Sequence, residues 1–293
     1  MKQAKMTVDR EYAIGGVDRY LFGSFIEMYF NVVNGGIYDP NSPTADEMGF
    51  RRDVLDLVRE LKVPIVRFPG GCTVSDYFWE DGVGPAESRI PRHNLVTGKT
   101  ESNRFGTNEF FEWAKKAETD IFMVVNLATR TPRDAANHVE YCNHPGGSYY
   151  SDLRKSHGYA NPHNIKIWGL DNEVDGPWSV GHKSADEYGR IAFLASSLMK
   201  RVDGSIKTVL CGSSGYGMPS FPQWDATVLE HCYDTADYIS AHIYYDIKEG
   251  DSASYLASTM SMDRYIKDLA ATCDYVKAKK RSKRKMHRPQ NRQ

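Results

Sequence analysis

The alternation of short apolar segments with amphipathic helical segments is the feature that most constrains the fold of this chain. Six apolar segments are predicted to be buried strands, at residues 20–27, 63–69, 121–127, 165–173, 208–212 and 238–244. Helices are predicted at residues 51–61, 108–118, 132–141, after the capping box Ser184-Ala-Asp-Glu187, and at 224–232 and 254–279. Strands that are joined through helical crossovers pair in parallel. The sequence therefore predicts an α/β fold with a parallel sheet.

Two α/β architectures fit this alternation: an open, doubly wound sheet and a closed barrel. The glycine-rich phosphate loops Gly-x-Gly-x-x-Gly and Gly-x-x-x-x-Gly-Lys, which favour the open sheet, are absent from the sequence. Polar residues instead cluster where the predicted strands end, which is where barrel enzymes carry their active sites. These residues are Glu27, the turn 69–72, Asn126, Asn172, Glu173, His242 and Tyr244. We therefore predict a (β/α)8 TIM-type barrel that is incomplete, with about six strands present.

The cysteines indicate a reducing compartment. There are five, an odd number, and no pair has Cys-x-x-Cys spacing, which disfavours both a disulfide framework and a structural zinc site. The N-terminal residues contain no apolar signal-peptide core, and no apolar run reaches the ~18 residues of a membrane span. We predict a cytoplasmic protein without a membrane partner.

The charge distribution disfavours a nucleic-acid partner. Nine of the 37 lysine and arginine residues, and none of the 38 aspartate and glutamate residues, lie at positions 277–293. The rest of the chain is therefore acidic, which opposes binding to phosphate backbones. The basic C-terminal stretch has two interpretations, a nucleic-acid patch or a solvated helix end that continues as a disordered tail, and we favour the second.

Glu173 is the leading candidate for catalysis. It ends an apolar strand and is followed by Asp175-Gly-Pro-Trp178, a turn that carries a large aromatic residue. A carboxyl group at a strand end is partly desolvated, which raises its pKa and suits a general acid. Asn172 beside it could hydrogen-bond a substrate hydroxyl. The alternative is that Glu173 caps the turn or pairs with a lysine or arginine.

Three further residues could contribute to such a site. Glu27 follows an apolar segment and needs a partner, so it would either bind substrate hydroxyls or form a salt bridge with Arg67. His242 and Tyr244 lie two residues apart and share one face of a strand. A His-x-Tyr pair there could orient a catalytic carboxylate, although His242 could also be a hydrogen-bonded core residue.

Metal and serine-hydrolase chemistry are disfavoured. No His-Glu-x-x-His motif occurs, and His138 and His144 lack a carboxylate or cysteine at usable spacing. The segment Gly212-Ser-Ser-Gly215 departs from the nucleophile motif Gly-x-Ser-x-Gly and is typical of a turn. We predict no metal site and no cofactor.

Taken together, the motifs resemble glycoside hydrolase family 51, the α-L-arabinofuranosidases. The resemblance runs from about residue 5 to residue 287 and follows the motif order of the family. It rests on Gly23-Ser-Phe-Ile-Glu27, on Asn172-Glu-Val-Asp-Gly-Pro-Trp178, and on residues 35–38, 49–53, 63–71, 79–85, 105–110, 140–147 and 211–214. The family implies a (β/α)8 barrel followed by a C-terminal β-sandwich, no metal or organic cofactor, and frequent oligomerisation.

The resemblance also implies an activity and the roles of matching residues. The family hydrolyses terminal non-reducing α-L-arabinofuranosyl groups of arabinan, arabinoxylan and arabino-oligosaccharides, with retention of configuration. Glu173 matches its acid/base, and His242 matches a residue that supports the nucleophile. The positions that bind the sugar are matched by Glu27, Cys72, Asn172 and Tyr244.

Three departures from the family pattern bear on activity. Cys72 stands where the family has a sugar-contacting Asn, and Asp171 stands where it has Gly. A carboxylate at position 171 would raise the pKa of Glu173 if it pointed into the site. The nucleophile, a Glu in a seventh strand of the family, has no counterpart, and by register its position falls at about Arg292. Retaining hydrolysis needs both carboxylates, so we expect this chain to be inactive or weakly active.

These observations predict three segments and one function. Residues 1–16 would be a strand segment that associates with the missing β-sandwich, 17–287 a truncated catalytic barrel, and 288–293 an aberrant basic tail. The predicted function is that of a retaining exo-α-L-arabinofuranosidase, which binds arabinose-containing oligosaccharides or polysaccharides. A homo-oligomer is expected for the full-length members of the family and not for this chain. Two alternatives stay open: a non-catalytic arabinoglycan-binding protein, and another retaining barrel glycosidase.

Overall fold

The computed structural model describes residues 5–12, 15–247 and 250–284. In these ranges the strands are β1 (Ser24–Phe25), β2 (Ile65–Phe68), β3 (Arg92–His93), β4 (Thr100–Glu101), β5 (Asp120–Val125), β6 (Ile167–Leu170), β7 (Lys207–Leu210) and β8 (Tyr238–Ile239). The α-helices are α1 (Arg52–Glu60), α2 (Thr107–Ala117), α3 (Pro132–Asn143), α4 (Tyr149–Ser156), α5 (Ala185–Val202), α6 (Gln223–Cys232), α7 (Ser252–Leu256) and α8 (Ser258–Lys279).

One parallel sheet organises the molecule. Within the described ranges its order is β1-β2-β5-β6-β7-β8, whereas β3 and β4 form a separate antiparallel hairpin. The order follows the chain without reversal, which distinguishes a barrel from a doubly wound sheet. Residues of β1 and residues 241–244, which follow β8, line one cavity, so the sheet curls until its two edges face each other. The predicted α/β class is confirmed, and the curled six-stranded sheet is consistent with an incomplete TIM barrel.

The central strands are covered on both faces. Their side chains form nearly continuous buried runs, as expected of parallel strands flanked by helices; these include Val66, Phe68, Met123, Val124, Val125, Trp168 and Leu170. Helix α5 packs against both α3 and α6 on the outside of the sheet. Its start is the predicted capping box, in which the Ser184 side chain accepts from the backbone N–H of Glu187 and the Glu187 side chain accepts from that of Ser184.

The hydroxyl of Tyr188 joins α5 to the ends of two strands. It donates to the carbonyl of Leu170 at 2.6 Å and accepts from the backbone N–H of Cys211 at 2.8 Å. The ring is fully buried and stacks on Trp224, with 5.6 Å between ring centroids. Tyr188 therefore fixes the carboxyl ends of β6 and β7, from which the candidate residues extend.

The predicted elements are confirmed in kind and differ in their limits. The edge strands β1 and β8 are two residues long, shorter than predicted, because an edge strand has a ladder partner on one side only. The last predicted helix is divided at Ala257 into α7 and α8. The pattern does not predict α4, which is short and largely polar, or the β3–β4 hairpin.

The three predicted segments stay predictions. Residues 288–293, and residues 1–4 and 13–14 of the predicted N-terminal segment, lie outside the described residues. The described part of that segment is exposed and carries the 3-10 turn Arg10–Tyr12. Among the helices that the structure describes, none is both long and apolar enough to cross a membrane.

Replacement of Tyr188 by Phe is expected to lower the free energy of unfolding by about 1–3 kcal/mol, because the Leu170 carbonyl and the Cys211 N–H would lose a buried partner. Urea denaturation followed by circular dichroism measures this change. Tyr275→Phe on the exposed face of α8 (57% exposed) is the control and should be neutral. Equal stability of the Tyr188 variant and the wild type would contradict the bridging role.

Candidate active site

The candidate residues gather at the carboxyl edge of the sheet. Glu27 follows β1, Cys72 follows β2, Asn172 and Glu173 follow β6, and His242 follows β8. Side-chain hydrogen bonds join Cys72 to both Asn172 and Glu173, and His242 to Glu173. The structure therefore brings residues from three different strand ends into direct contact around Glu173.

Both carboxylate oxygens of Glu173 accept hydrogen bonds. The Nδ1 of His242 lies 2.8 Å from Oε1, and the indole Nε1 of Trp178 donates to Oε2 at 3.0 Å. The thiol of Cys72 donates to Oε2 at 3.7 Å. Burial raises the pKa of Glu173, but these hydrogen bonds and the charge of His242 outweigh it, so the pKa lies below its ordinary value. The pKa rise expected from desolvation alone is therefore wrong for this structure.

The turn after Glu173 is anchored to the neighbouring strand end. The N–H of Gly176 donates to the Glu173 carbonyl at 3.0 Å. The Asp175 carboxylate accepts from the backbone N–H of Ser214, at 3.1 and 3.0 Å to its two oxygens, and also from the Ser214 hydroxyl. This anchoring places Trp178 beside Glu173, so the turn does shape the site as its sequence indicates.

Glu27 is held by the loop after β2. Its Oε1 accepts from the backbone N–H of Thr73 at 2.9 Å and from the Thr73 hydroxyl at 3.1 Å. A Cβ on Gly70 would lie 2.5 Å from Cγ of Glu27, so this close approach requires glycine. Arg67, the alternative partner, forms no ion pair with Glu27 within 4 Å among the described residues, and its guanidinium instead donates to Asn172 Oδ1 at 3.3 Å. The salt-bridge alternative is therefore wrong.

Cys72 lies between Asn172 and Glu173. The side-chain amide of Asn172 donates to its sulfur at 3.8 Å, and the thiol donates onward to Glu173. Burial, together with the charges of Glu173 and Glu27, raises the pKa of the Cys72 thiol to about 12. The group is therefore a neutral hydrogen-bond donor at neutral pH rather than a thiolate nucleophile.

Asp171 does not point into the site. Its carboxylate is buried and accepts from the hydroxyl of Ser75 and from the backbone N–H groups of Asn172, Leu127 and Ala128. Burial raises the pKa of Asp171, and these four hydrogen bonds oppose the rise. The φ angle of Asp171 is +68°, a left-handed conformation that glycine adopts most easily and that Asp tolerates better than most residues. The like-charge effect on Glu173 that an inward-pointing Asp171 would have is not supported.

Tyr244 is the candidate residue that the structure leaves apart from the others. Its side chain is 78% exposed, and no hydrogen bond to it is present among the described residues. It lines an open cavity of about 530 Å³ together with Phe25, Arg67 and His242, between β1 and the segment that follows β8. Tyr244 therefore lies beside the site, at a cavity that it shares with Arg67 and His242.

Sequence patterns did not indicate several of the contacts that build the site. These contacts are the hydrogen bonds of Thr73, Ser75 and the Trp178 indole. They depend on loop conformations, which the periodicity of strands and helices does not predict. Within the described ranges, no group of three or more His, Cys, Asp and Glu side chains is placed to hold a metal ion.

Comparison with known proteins gives consistent matches. The model of the alpha-L-arabinofuranosidase 1 domain matches residues 57–256. The chain is 57% identical over 284 residues to intracellular exo-alpha-(1->5)-L-arabinofuranosidase 1 of Bacillus subtilis (strain 168), which covers 97% of this chain and 57% of that protein. The chain thus spans little more than half the length of this relative.

Solved structures give the same result. A family 51 alpha-L-arabinofuranosidase from Bifidobacterium longum superposes with a TM-score of 0.90 at 41% identity, over 93% of this chain and 55% of that one. The arabinose complex of an alpha-L-arabinofuranosidase from Thermotoga maritima superposes with a TM-score of 0.85 at 38% identity, over 90% and 53% of the two chains. The resemblance inferred from the motifs is thereby confirmed, and the chain belongs to glycoside hydrolase family 51, the α-L-arabinofuranosidases.

Proposed function

We propose that this chain carries the acid/base part of a retaining exo-α-L-arabinofuranosidase. Its substrates would be the terminal non-reducing α-L-arabinofuranosyl residues of arabinan, arabinoxylan and arabino-oligosaccharides. The observation that carries the proposal is the placement of Glu173 at the carboxyl edge of the sheet, with His242 and Trp178 on its two oxygens. The name of the B. subtilis relative and the arabinose complex of the T. maritima protein support the substrate class.

The residues around Glu173 suit contacts with a furanose. We propose that the sugar is bound by Glu27, Cys72, Asn172 and Tyr244. Thr73 occupies Oε1 of Glu27, and no described residue donates to Oε2, which leaves this oxygen for a sugar hydroxyl. The amide of Asn172 is oriented by Arg67 on one side and Cys72 on the other. We propose a supporting role for His242, because it contacts the acid/base directly.

Glu173 would act twice in a retaining reaction. It would donate a proton to the departing glycosidic oxygen and then remove one from the attacking water. With its pKa lowered, Glu173 is ionised at neutral pH, which suits the second step. A second carboxylate at the separation of about 5–5.5 Å that retaining enzymes use would raise the pKa through like-charge repulsion and so supply the acid form. We propose no residue of this chain as that nucleophile.

We propose a cytoplasmic location, since the B. subtilis relative is named intracellular. We propose that the catalytic barrel occupies residues 17–287, with 1–16 as a strand segment of a sandwich domain and 288–293 as a basic tail. Homo-oligomerisation is proposed for the full-length members of the family.

Replacement of Glu173 by Gln is expected to slow the hydrolysis of p-nitrophenyl α-L-arabinofuranoside by about 10²–10⁴-fold, because the variant can neither donate nor remove the proton. Release of p-nitrophenol measures the rate. Turnover of the wild type and Glu173→Gln at one equal rate above background would refute the role of Glu173.

Sugar binding is expected to depend on Asn172. The Asn172→Ala variant should bind methyl α-L-arabinofuranoside about tenfold more weakly than the wild type, because one hydrogen bond to a sugar hydroxyl is lost. Isothermal titration calorimetry measures the dissociation constants, and Asn41→Ala in an exposed turn is the control. Equal affinity of wild type and Asn172→Ala would argue against Asn172 as a sugar contact.

The fluorescence of Trp178 is expected to report the protonation of Glu173. Because the pKa of Glu173 lies below its ordinary value of 4.5, the indole–carboxylate hydrogen bond should persist at neutral pH and weaken only in acid. The difference in emission between the wild type and Trp178→Phe should therefore change with a midpoint below pH 4.5. The change should be absent from Glu173→Gln, and a midpoint at or above 4.5 would contradict the lowered pKa.

A further inference from the structure

The buried carboxylate of Asp171 accepts four hydrogen bonds and has no cationic partner among the described residues. Oδ1 accepts from the Ser75 hydroxyl at 2.7 Å and from the Asn172 N–H at 2.8 Å. Oδ2 accepts from the N–H groups of Leu127 at 2.5 Å and Ala128 at 2.6 Å. No ion pair within 4 Å involves it among the described residues. Since a buried charge requires compensation, the four donors favour the ionised form of the carboxyl group in place of a counter-ion and oppose the rise of its pKa that burial causes.

These donors belong to three separate strand ends. Ser75 lies in the 3-10 turn after β2, Leu127 and Ala128 follow β5, and Asn172 follows β6. The turn that contains Ser75 also contains Cys72 and Thr73, which contact Glu173 and Glu27 respectively. One buried carboxylate thus joins the segment that holds Glu27 to the segment that carries Glu173.

The backbone at Asp171 redirects the chain. Its N–H still donates to the Val125 carbonyl at 2.9 Å, which extends the β5–β6 ladder by one residue. Its φ of +68° and the φ of +48° at Glu173 then turn the chain away from the strand direction. The carboxylate of Asp171 lies at the point where this change of direction begins.

We propose that Asp171 is a positioning residue, whose carboxylate ties the turn after β2 and the end of β5 to the Asn172-Glu173 dipeptide and thereby sets the position of the Glu173 carboxyl group. The inference rests on the proposed function of Glu173. Asp171 contacts neither the sugar nor the reacting atoms. It acts through the backbone of Asn172 and through the turn that carries Cys72.

Two variants separate the side chain from the backbone conformation. Asp171→Gly keeps the left-handed φ at little cost and removes the carboxylate. Asp171→Asn keeps the shape, but its amide N–H₂ must face a backbone N–H donor in either orientation, because Leu127 and Ala128 donate at one oxygen position and Asn172 donates at the other. If Asp171 only serves the backbone conformation, the Gly variant should behave like the wild type. If the carboxylate positions the dipeptide, both variants should change the surroundings of Glu173.

The test measures the Trp178 fluorescence titration and the affinity for methyl α-L-arabinofuranoside in each variant. We expect the titration midpoint to rise by about one pH unit in both variants, as the donors around Glu173 lose alignment. We expect the dissociation constant to increase about tenfold or more, since small displacements of positioned groups have large effects. Ser75→Ala removes one donor without changing β6 and should give a smaller rise of the midpoint in the same direction.

Asp225→Asn is the matched control. Asp225 is a buried carboxylate that also accepts from a serine hydroxyl and a backbone N–H, both of Ser213, but it does not contact the dipeptide. This variant should change stability and leave the midpoint and affinity unchanged. An unchanged midpoint and affinity in folded Asp171→Gly would overturn the inference, and if neither Asp171 variant folds, an unchanged midpoint in Ser75→Ala would overturn it. If the wild type binds no arabinofuranoside, the proposed function fails. The midpoint of the Trp178 fluorescence titration still tests the role of Asp171 in that case.

Discussion

The parallel register of β5, β6 and β7 is the constraint on which the candidate site depends. Leu170 pairs with Val125 on one side and with Leu210 on the other, so the three strands end at the same level. A shift of one residue would place the side chains of β6 on the opposite faces of the sheet. Tyr188 bonds to two of these strand ends at once, which couples the packing of helix α5 to the place where Asn172 and Glu173 leave the sheet.

The parts of the fold that the sequence predicts are those determined by local pattern. The apolar runs of β2, β5 and β6 are buried on both faces, and the capping box at Ser184 marks the start of α5, so these elements follow from composition and spacing. The edge strands are longer in the prediction than in the structure because their length depends on a ladder partner. The order of the strands follows from the connections, since each crossover leads to the neighbouring strand.

The location of the candidate site is predictable, and most of its hydrogen bonds are not. Polar residues after apolar strands indicate Glu27, Asn172 and Glu173 directly. The partners of Glu27 depend on the conformation of the glycine turn after β2, which brings Thr73 rather than Arg67 to its carboxylate. The lowered pKa of Glu173 depends on donors from three separate segments, whose convergence is a tertiary property. The role of Asp171 likewise depends on backbone N–H groups that no side-chain pattern reports.

Two of the hydrogen bonds of Glu173, from Trp178 and Cys72, fall on its Oε2, so a new partner at this oxygen must compete with an existing one. His242 is largely enclosed, with 13% of its side chain exposed, whereas Trp178 is 52% exposed. The indole is therefore the donor that can withdraw with the least loss of packing. Binding of a ligand at Oε2 of Glu173 would then be an exchange of hydrogen-bond donors, and its net enthalpy would be the difference between two bonds rather than the full strength of one.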